Sequence, residues 1–258
     1  MTNSVRSPAL VVRAFNVEVA RIQDQTTDAQ TAAFRLKFWQ EALACIYNNN
    51  NIFRDIPANP VAQELFKVCT LYKIPRRFLE KLISSRNNLI TNKYFRTVDD
   101  LERYAEDSVS SIYHLFLSIA GVKNIHADHA ASHLGKAQGI TNLLRSVRVF
   151  NQHKMVSLPM DILMKYKLSQ ENVLRSEDSD SMRNAVHDLA CRANSHLEKA
   201  RNIDAPKVAN QMFLPAVAVG KYLENLEKSD FNLFDPSLQK GNVMLPFNMY
   251  FHRLRNKY

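Results

Sequence analysis

The chain has 258 residues, of which 46% are apolar and 23% charged, an ordinary globular balance that excludes wholesale disorder. Its 34 Lys and Arg outnumber 25 Asp and Glu, and the net charge of +9 favours an anionic partner such as a membrane surface, a nucleic acid or a phosphorylated molecule. The chain has only 5 glycines, too few for the Gly-rich phosphate-binding turns of nucleotide-binding folds or for the many tight hairpin turns of β-sandwiches. This composition favours helices joined by polar loops.

The cysteines and the apolar runs indicate which classes of protein are excluded, namely disulfide-rich, zinc-binding and membrane-spanning proteins. Cys45, Cys69 and Cys191 are odd in number and lack the spacing of a zinc site or a disulfide framework, so they suit a reducing compartment. The best apolar run, residues 112–122, is too short to span a bilayer. No signal peptide is visible, and helical periodicity begins almost at once near Ala9. We therefore expect the chain to start inside a domain, with its N-terminal helix truncated and no transit peptide visible.

The first part of the chain has the pattern of successive helices. Apolar residues at helical spacing predict helices over 9–21 and 28–47. The residues predicted to face inward are Leu10, Ala14, Val17 and Ile22 in the first helix and Phe34, Phe38, Leu43 and Ile46 in the second. Pro60 and Pro75 each predict a helix start, because proline at the first helical position loses no hydrogen bond.

The rest of the chain is also predicted to be helical. A capping box at Thr97 and Asp100 opens a long helix that Gly121 ends. Further helices are predicted over 126–147, 183–201, 206–227 and 246–255, with shorter ones at Pro159 and Ser169. No period of 20–50 residues repeats and no Gly/Ser linker divides the chain, so we predict one all-α domain over residues 1–258.

Two groups of side chains have metal-ligand spacing. His129 and His133 are four residues apart, so both could face one zinc ion from a single helix, with Asp128 nearby. Asp24 and Asp28 have the same spacing, which could hold Mg²⁺ against a diphosphate. However, the histidines lack an HExxH glutamate and a third ligand, and the threonines between the carboxylates suggest that Asp28 caps a helix. We therefore expect no metal and no cofactor.

Segment 134–145 is the richest in polar side chains at helical spacing. Gln138, Asn142 and Arg145 lie at i, i+4 and i+7, so they project from one face of a helix. Amides and a guanidinium on a core-facing helix either surround a polar cavity or hydrogen-bond between helices without a ligand, because buried polar groups need partners. The residues alone leave both interpretations open.

This segment also carries a family resemblance. Residues 134–145, LGKAQGITNLLR, resemble the LGxAxQxxNxxRD helix of squalene and phytoene synthases. Residues 12–15 resemble the start of that family's first aspartate-rich helix, 38–39 and 59–62 its W…hPva stretch, and 156–159 its YLP element. The matching stretches occur in the family's order and span nearly the whole chain. The resemblance implies an isoprenoid-synthase-type helical bundle.

Two longer strings resemble one branch of the family, the mitochondrial complex I assembly factors of squalene/phytoene synthase type. They are RAFNVE at 13–18 and HADHAASHLGKAQG at 126–139. This resemblance implies a non-catalytic assembly factor for mitochondrial respiratory complex I, on the matrix side of the inner membrane, with complex I subunits or other assembly factors as partners. The alternative is binding or transfer of isoprenoid diphosphates by a shifted Asp24/Asp28 cluster.

The carboxylates that active family members use are largely missing. Those members hold Mg²⁺ on two carboxylate clusters that grip the diphosphate as it ionises. In the register set by residues 12–15, the first cluster falls on 20–24, where Arg21 replaces a carboxylate, and the second includes Ser146 and Phe150. A hard cation that takes several oxygen ligands is not held by one carboxylate, so the resemblance implies a pseudoenzyme. Its vestigial pocket is predicted to comprise Asp24, Gln138, Asn142 and Arg145.

The charge pattern bears on the partner. Basic residues are scattered along the chain instead of clustering with aromatics on one face, so we expect no nucleic acid partner. The net charge of +9 suits peripheral contact with an anionic inner membrane. The C-terminal stretch 243–258 places Met, Phe and Tyr beside basic side chains. We expect this stretch to form a last helix packed on the bundle, with a basic exposed edge.

Overall fold

Helices make up the regular structure of this chain. The structure is a computed structural model that describes residues 3–26, 28–48, 55–152 and 155–258. Within these ranges it contains 13 α-helices and no β-strand, which confirms the all-α prediction. In chain order the elements are α1 (Asn3–Ala20), α2 (Ala29–Ile46), α3 (Pro60–Tyr72), α4 (Arg76–Asn92), α5 (Val98–Ala105), a π-helical segment (Glu106–Ser110), α6 (Ser111–Ile119), α7 (Ile125–Gln152), α8 (Met160–Lys165), α9 (Gln170–Leu174), α10 (Asp180–Asn202), α11 (Lys207–Asn210), α12 (Pro215–Lys228), a 3-10 turn (Pro236–Gln239) and α13 (Leu245–Leu254).

Several helices begin where their capping chemistry predicts. Asn59 caps α3, since its side-chain oxygen accepts the backbone N–H of residues 61 and 62 at 2.9 and 3.1 Å. The capping box of Thr97 and Asp100 opens α5, and Gly121 follows α6 with a φ of +69°, as expected of a helix C-terminus. Pro75 differs slightly from the prediction, because α4 begins one residue later and the proline occupies the cap position.

The inward faces predicted for the first two helices are confirmed only in part. Ile22, Leu43 and Ile46 are buried as predicted. Leu10, Val17 and Phe34, in contrast, are exposed by 63%, 46% and 66%. Both helices carry apolar residues on more than one face, so periodicity alone does not select the buried one. An edge-on contact between Phe15 and Trp39, with ring centroids 5.3 Å apart, joins the stripes that are buried. The buried residues of these two stripes include Val12, Phe15, Val19, Ala32, Leu36, Trp39 and Leu43.

Two predicted long helices are interrupted. The helix predicted from Thr97 to Gly121 contains the π-helical segment, whose wider turn separates α5 from α6. The helix predicted over 206–227 is divided into α11 and α12, and Pro215 begins the second of them. Proline lacks the N–H that would continue a helix from the preceding turn, so the break at Pro215 has a local cause.

Helix α7 runs through the centre of the bundle and packs against α5, the π-helical segment, α6, α10 and α12. Two glycines allow this close approach. A Cβ atom at Gly135 would lie 2.0 Å from Ser110 Oγ, and one at Gly139 would lie 2.2 Å from the Cβ of Ala105. Both distances are far below van der Waals contact. The glycines of the LGKAQG string are therefore required by the crossing of α7 over α5 and the π-helical segment.

The three cysteines are free, and the described helices include none that is long and apolar enough to cross a membrane.

Candidate binding cavity

A cavity of about 340 Å³ lies among α1, α4, α5, α6 and α7. Helix α7 contributes Gln138, Asn142 and Ser146 to its wall, and the π-helical segment contributes Ser108. The remaining wall is largely aromatic and aliphatic, and it includes Tyr94, Phe95, Leu101, Tyr104, Ile112, Tyr113, Phe150, Met155 and Val156. An apolar chamber with a few convergent polar groups is the usual form of a small-molecule site.

The charged side chains of the wall are all basic. Arg13, Arg86 and Lys93 line the cavity, and its described lining contains no Asp or Glu. Arg86 is the most deeply buried of the three, and burial lowers the pKa of its guanidinium. It donates to the Asn16 side-chain oxygen at 2.8 Å and to the carbonyl of Leu82 at 2.9 Å. The cavity wall therefore attracts anions and repels cations.

Some polar atoms of the wall have no partner. Arg86 Nε, Ser108 Oγ and Ser157 Oγ are buried without a hydrogen bond to any described residue. By contrast, the Tyr113 hydroxyl donates to Gln138 Oε1, and burial raises the pKa of that tyrosine. The polar part of the cavity thus has unused hydrogen-bonding capacity on α4, on the π-helical segment and at residue 157.

Segment 134–145 is shared between two depressions. Gln138 and Asn142 line the central cavity. Arg145 does not line it, and instead its guanidinium lies over the ring of Tyr222 at 5.8 Å from the centroid. Asn142, Arg145 and Ser146 together border a second depression, between α7 and α12. Gln138, Asn142 and Arg145 therefore project from one face of α7, as their spacing indicates. Gln138 and Asn142 reach the central cavity, whereas the Arg145 guanidinium lies on the side of α12.

The two N-terminal carboxylates do not meet in the central cavity. Asp24 is exposed in the turn after α1 and is not part of the cavity wall. Asp28 caps α2, and its carboxylate accepts the backbone N–H and the hydroxyl of Thr31, each at 2.7 Å. These hydrogen bonds lower the pKa of Asp28. The capping interpretation of Asp28 is confirmed, and the carboxylates are not arranged opposite Arg145.

Sequence reasoning did not single out Asn16 and Arg86, which join α1 to α4 in the cavity wall. A signal for α1 was present, because Arg13, Asn16 and Gln23 lie at i, i+3 and i+10 and so share one helical face. These polar residues alternate along the chain with the buried apolar residues of α1 and have the same helical period, so the pattern did not mark them as a separate face. Arg86 gave a weaker signal, since a lone arginine in a helix usually lies on the solvent side.

The residues of the possible zinc group near the start of α7 are not brought together. His129 is exposed. His133 Nδ1 lies 2.9 Å from His196 Nδ1, and His196 Nε2 lies 3.1 Å from Glu102 Oε1. Asp128 instead contacts His114, with 3.2 Å between its Oδ1 and the ring Nδ1. Across the described ranges, no group of three or more His, Cys, Asp or Glu residues is placed to hold a metal ion.

The fold and the α7 segment define the class of protein. The family model for squalene/phytoene synthase matches residues 1–247, and the chain belongs to the squalene/phytoene synthase family. The family resemblance of the sequence is thereby confirmed.

Individual relatives within the family are similar to the chain over nearly its whole length. The chain is 40% identical over 255 residues to the Bos taurus protein named "NADH dehydrogenase (ubiquinone) complex I, assembly factor 6", which covers 98% of this chain and 75% of that protein. It is 38% identical to the Homo sapiens protein of the same name, with the same coverage of 98% and 75%. A Drosophila melanogaster homolog of that factor is 34% identical and matches 100% of this chain and 78% of its own.

Solved structures share the fold. The squalene synthase HpnC from Alicyclobacillus acidocaldarius superposes with a TM-score of 0.77 at 17% identity, covering 88% of this chain and 85% of its own. A dehydrosqualene synthase solved with a ligand superposes with a TM-score of 0.81 at 16% identity, covering 99% and 89%. The prediction of an isoprenoid-synthase-type bundle is confirmed.

Proposed function

We propose that the protein is a non-catalytic assembly factor for mitochondrial respiratory complex I. The observation that carries this proposal is identity of 31–40% over nearly the whole chain to proteins named for that role, from mammals to Dictyostelium discoideum. The proposed domain comprises residues 1–258. Its partners are complex I subunits or other assembly factors.

The cavity supports the non-catalytic part of the proposal. Ionisation of a prenyl diphosphate needs Mg²⁺ or an equivalent to offset the leaving charge, and Mg²⁺ is bound through carboxylate oxygens. The described wall instead presents Arg13, Arg86 and Lys93. These residues do not fit a magnesium cluster, and the described wall offers no carboxylate for a metal-assisted step. Gln138 and Asn142 then line a remnant of the family's pocket, and Asp24 and Arg145 are exposed residues outside its wall.

The proposed location is the matrix side of the mitochondrial inner membrane. The net charge of +9 is favourable at a surface rich in anionic lipid, where each Lys or Arg near the surface is worth about 1 kcal/mol. Contact with that membrane would be peripheral.

Two experiments test this function. Purified protein incubated with prenyl diphosphates and Mg²⁺ should give no condensation product, while a squalene synthase assayed in parallel does.

In cells lacking the protein, the abundance of complex I should fall, and it should recover with the wild-type chain and with Asp24→Ala. Proximity labelling should mark complex I components. Turnover above background that disappears in Asp24→Ala would support isoprenoid diphosphate chemistry instead.

A further inference from the structure

Helix α13 carries its Phe and Tyr residues on the face that points away from the bundle. None of its residues is buried. Phe247, Tyr250, Phe251 and Leu254 are each 56–63% exposed, and Met244, just before the helix, is equally open. Except for the adjacent pair Tyr250 and Phe251, these positions are separated by three or four residues, so they form one stripe along one side of the helix. We call these five residues the α13 stripe.

The opposite face of α13 packs on the bundle and mixes polar with apolar residues. Asn248 and His252 border a small depression together with residues of α12, and Leu245 and Met249 are half-buried on the same side of the helix. A surface helix usually turns its largest apolar residues inward. In α13 the Phe and Tyr side chains face outward instead, so packing on the bundle does not account for them.

The end of the chain holds α13 in this orientation. The Asn210 amide donates to the carbonyl of Asn256 at 2.8 Å, and the Tyr258 hydroxyl donates to the carbonyl of Ala200 at 2.7 Å. The ring of Tyr258 also packs edge-on against Phe213, with centroids 5.1 Å apart. Since Phe213 is fully buried, these contacts fix the helix against the core and prevent the α13 stripe from rotating inward.

Exposed basic side chains lie close to the α13 stripe in the sequence. Lys240, Arg253, Arg255 and Lys257 are all exposed, and residues 236–258 include no Asp or Glu. An apolar face bordered by cations matches a bilayer surface, where anionic headgroups lie over acyl chains. The helix has 10 residues, a length suited to lying in the membrane plane and too short for crossing it.

We propose that α13 binds an anionic lipid bilayer, with the α13 stripe inserted at the boundary between headgroups and acyl chains and Arg253, Arg255 and Lys257 at the lipid phosphates. This inference deepens the proposed function, because it names the surface by which that assembly factor contacts the inner membrane. It rests on the geometry of α13 and is testable without complex I.

Flotation with lipid vesicles tests the proposal. At physiological salt the full chain should float with vesicles of phosphatidylcholine and cardiolipin and bind pure phosphatidylcholine vesicles about tenfold less, since apolar and electrostatic contributions act together. The double variant Phe247→Glu/Phe251→Glu should lose most of the binding. The control variant Phe34→Glu/Leu71→Glu makes the same charge change at exposed apolar residues of α2 and α3 and should float like wild type.

A second measurement reports insertion directly. Trp39 is the only tryptophan and is buried, so Phe251→Trp adds one exposed reporter. Its emission should shift to shorter wavelength with cardiolipin vesicles and be quenched by lipids brominated on the acyl chain. Wild-type protein that stays unbound, stripe variants that float normally, or an unquenched signal from the added tryptophan would each overturn the inference. Normal vesicle binding combined with normal complex I in cells lacking the protein would refute the proposed function and leave this inference standing.

Discussion

The α5–α7 crossing and the last helix, α13, place opposite demands on their residues. At the crossing, Gly135 and Gly139 leave no room for even one methyl group. In α13, no side chain is buried, and the largest apolar residues face away from the protein. The family match ends at residue 247, so most of α13 lies beyond it, whereas the crossing lies at its centre.

The comparison separates a packing requirement from a surface property. Gly135 and Gly139 allow the close crossing of α7, and this steric requirement holds whether or not the cavity performs chemistry. The charged residues of the described cavity wall, which are all basic, lie outside these close contacts. The glycine string of α7 is therefore evidence for packing, and it does not by itself indicate catalysis.

The largest effect is expected at the crossing. Gly135→Ala puts a Cβ 2.5 Å from backbone atoms of Ser110, so the helices must separate. We expect a loss of about 3 kcal/mol in the free energy of unfolding, measured by urea denaturation. Gly241→Ala is the matched control, because a Cβ there meets nothing within 4 Å, and it should stay within about 0.5 kcal/mol of wild type. Equal stabilities of the two variants would remove the steric argument.

The cavity wall should give an intermediate effect. Asn16→Leu removes the side-chain acceptor of Arg86 and leaves a buried cation with fewer hydrogen bonds, so we expect a loss of about 1–3 kcal/mol in unfolding free energy. Arg86→Met, which removes the unpaired charge itself, should change stability by less than about 1.5 kcal/mol. In a double-mutant cycle Asn16→Leu should cost little once Arg86 is methionine. Additive effects would show that the pair does not couple.

Acidification should weaken the contact between α7 and α10. Burial lowers the pKa of His133 and of His196 below the usual 6.5, and His133 also faces Lys136 and Lys199. The unfolded chain then binds more protons than the folded one, so this contribution is complete above pH 6.5 and declines as pH falls through the lowered pKa values. His196→Gln should flatten the pH dependence of unfolding free energy in that window. An unchanged slope in His196→Gln would contradict this expectation.

The smallest effect on stability is expected in α13. Phe247→Ser changes a side chain that is more than half exposed, so the unfolding free energy should stay within about 0.5 kcal/mol of wild type. Thermal denaturation without lipid measures it. A large loss would mean that the stripe packs on the bundle in solution, contrary to its exposed position in the structure.

Helix existence and helix starts were predictable from the sequence because their causes are local. The side chains of Asn59, Thr97 and Ser169 each accept a backbone N–H within three residues. Such capping residues can be recognised from the sequence without knowledge of the fold. The buried faces of α1 and α2 were only partly predictable, since Leu10 and Phe34 are exposed although they are as apolar as the residues that are buried. Tertiary packing, here the contact of two aromatic rings, selects between such stripes.

The structure brings together only some of the residues predicted for the site, and the reason is geometric. Gln138 and Asn142 line the cavity, but the spacing that groups them with Arg145 does not show where the bundle ends. The register chosen for the family's first carboxylate cluster led to Asp24, whereas α1 presents Asn16 to the cavity and to Arg86 from α4. A contact between residues 70 positions apart is invisible to a local pattern.

The π-helical segment determines where the chain between α5 and α6 could lose a residue. Its wider turn holds one residue more than a regular α-helix would, so α5 and α6 keep a common buried face across it. Deleting one residue from 106–110 would restore regular winding with little rotation of α5 relative to α6. Deleting one residue from the regular turns near the end of α5 would instead rotate the preceding residues by about 100° and turn Leu101, fully buried in the core, away from α7. A homologous chain that is one residue shorter between the capping box and Gly121 should therefore lack the π-turn and keep the regular helices.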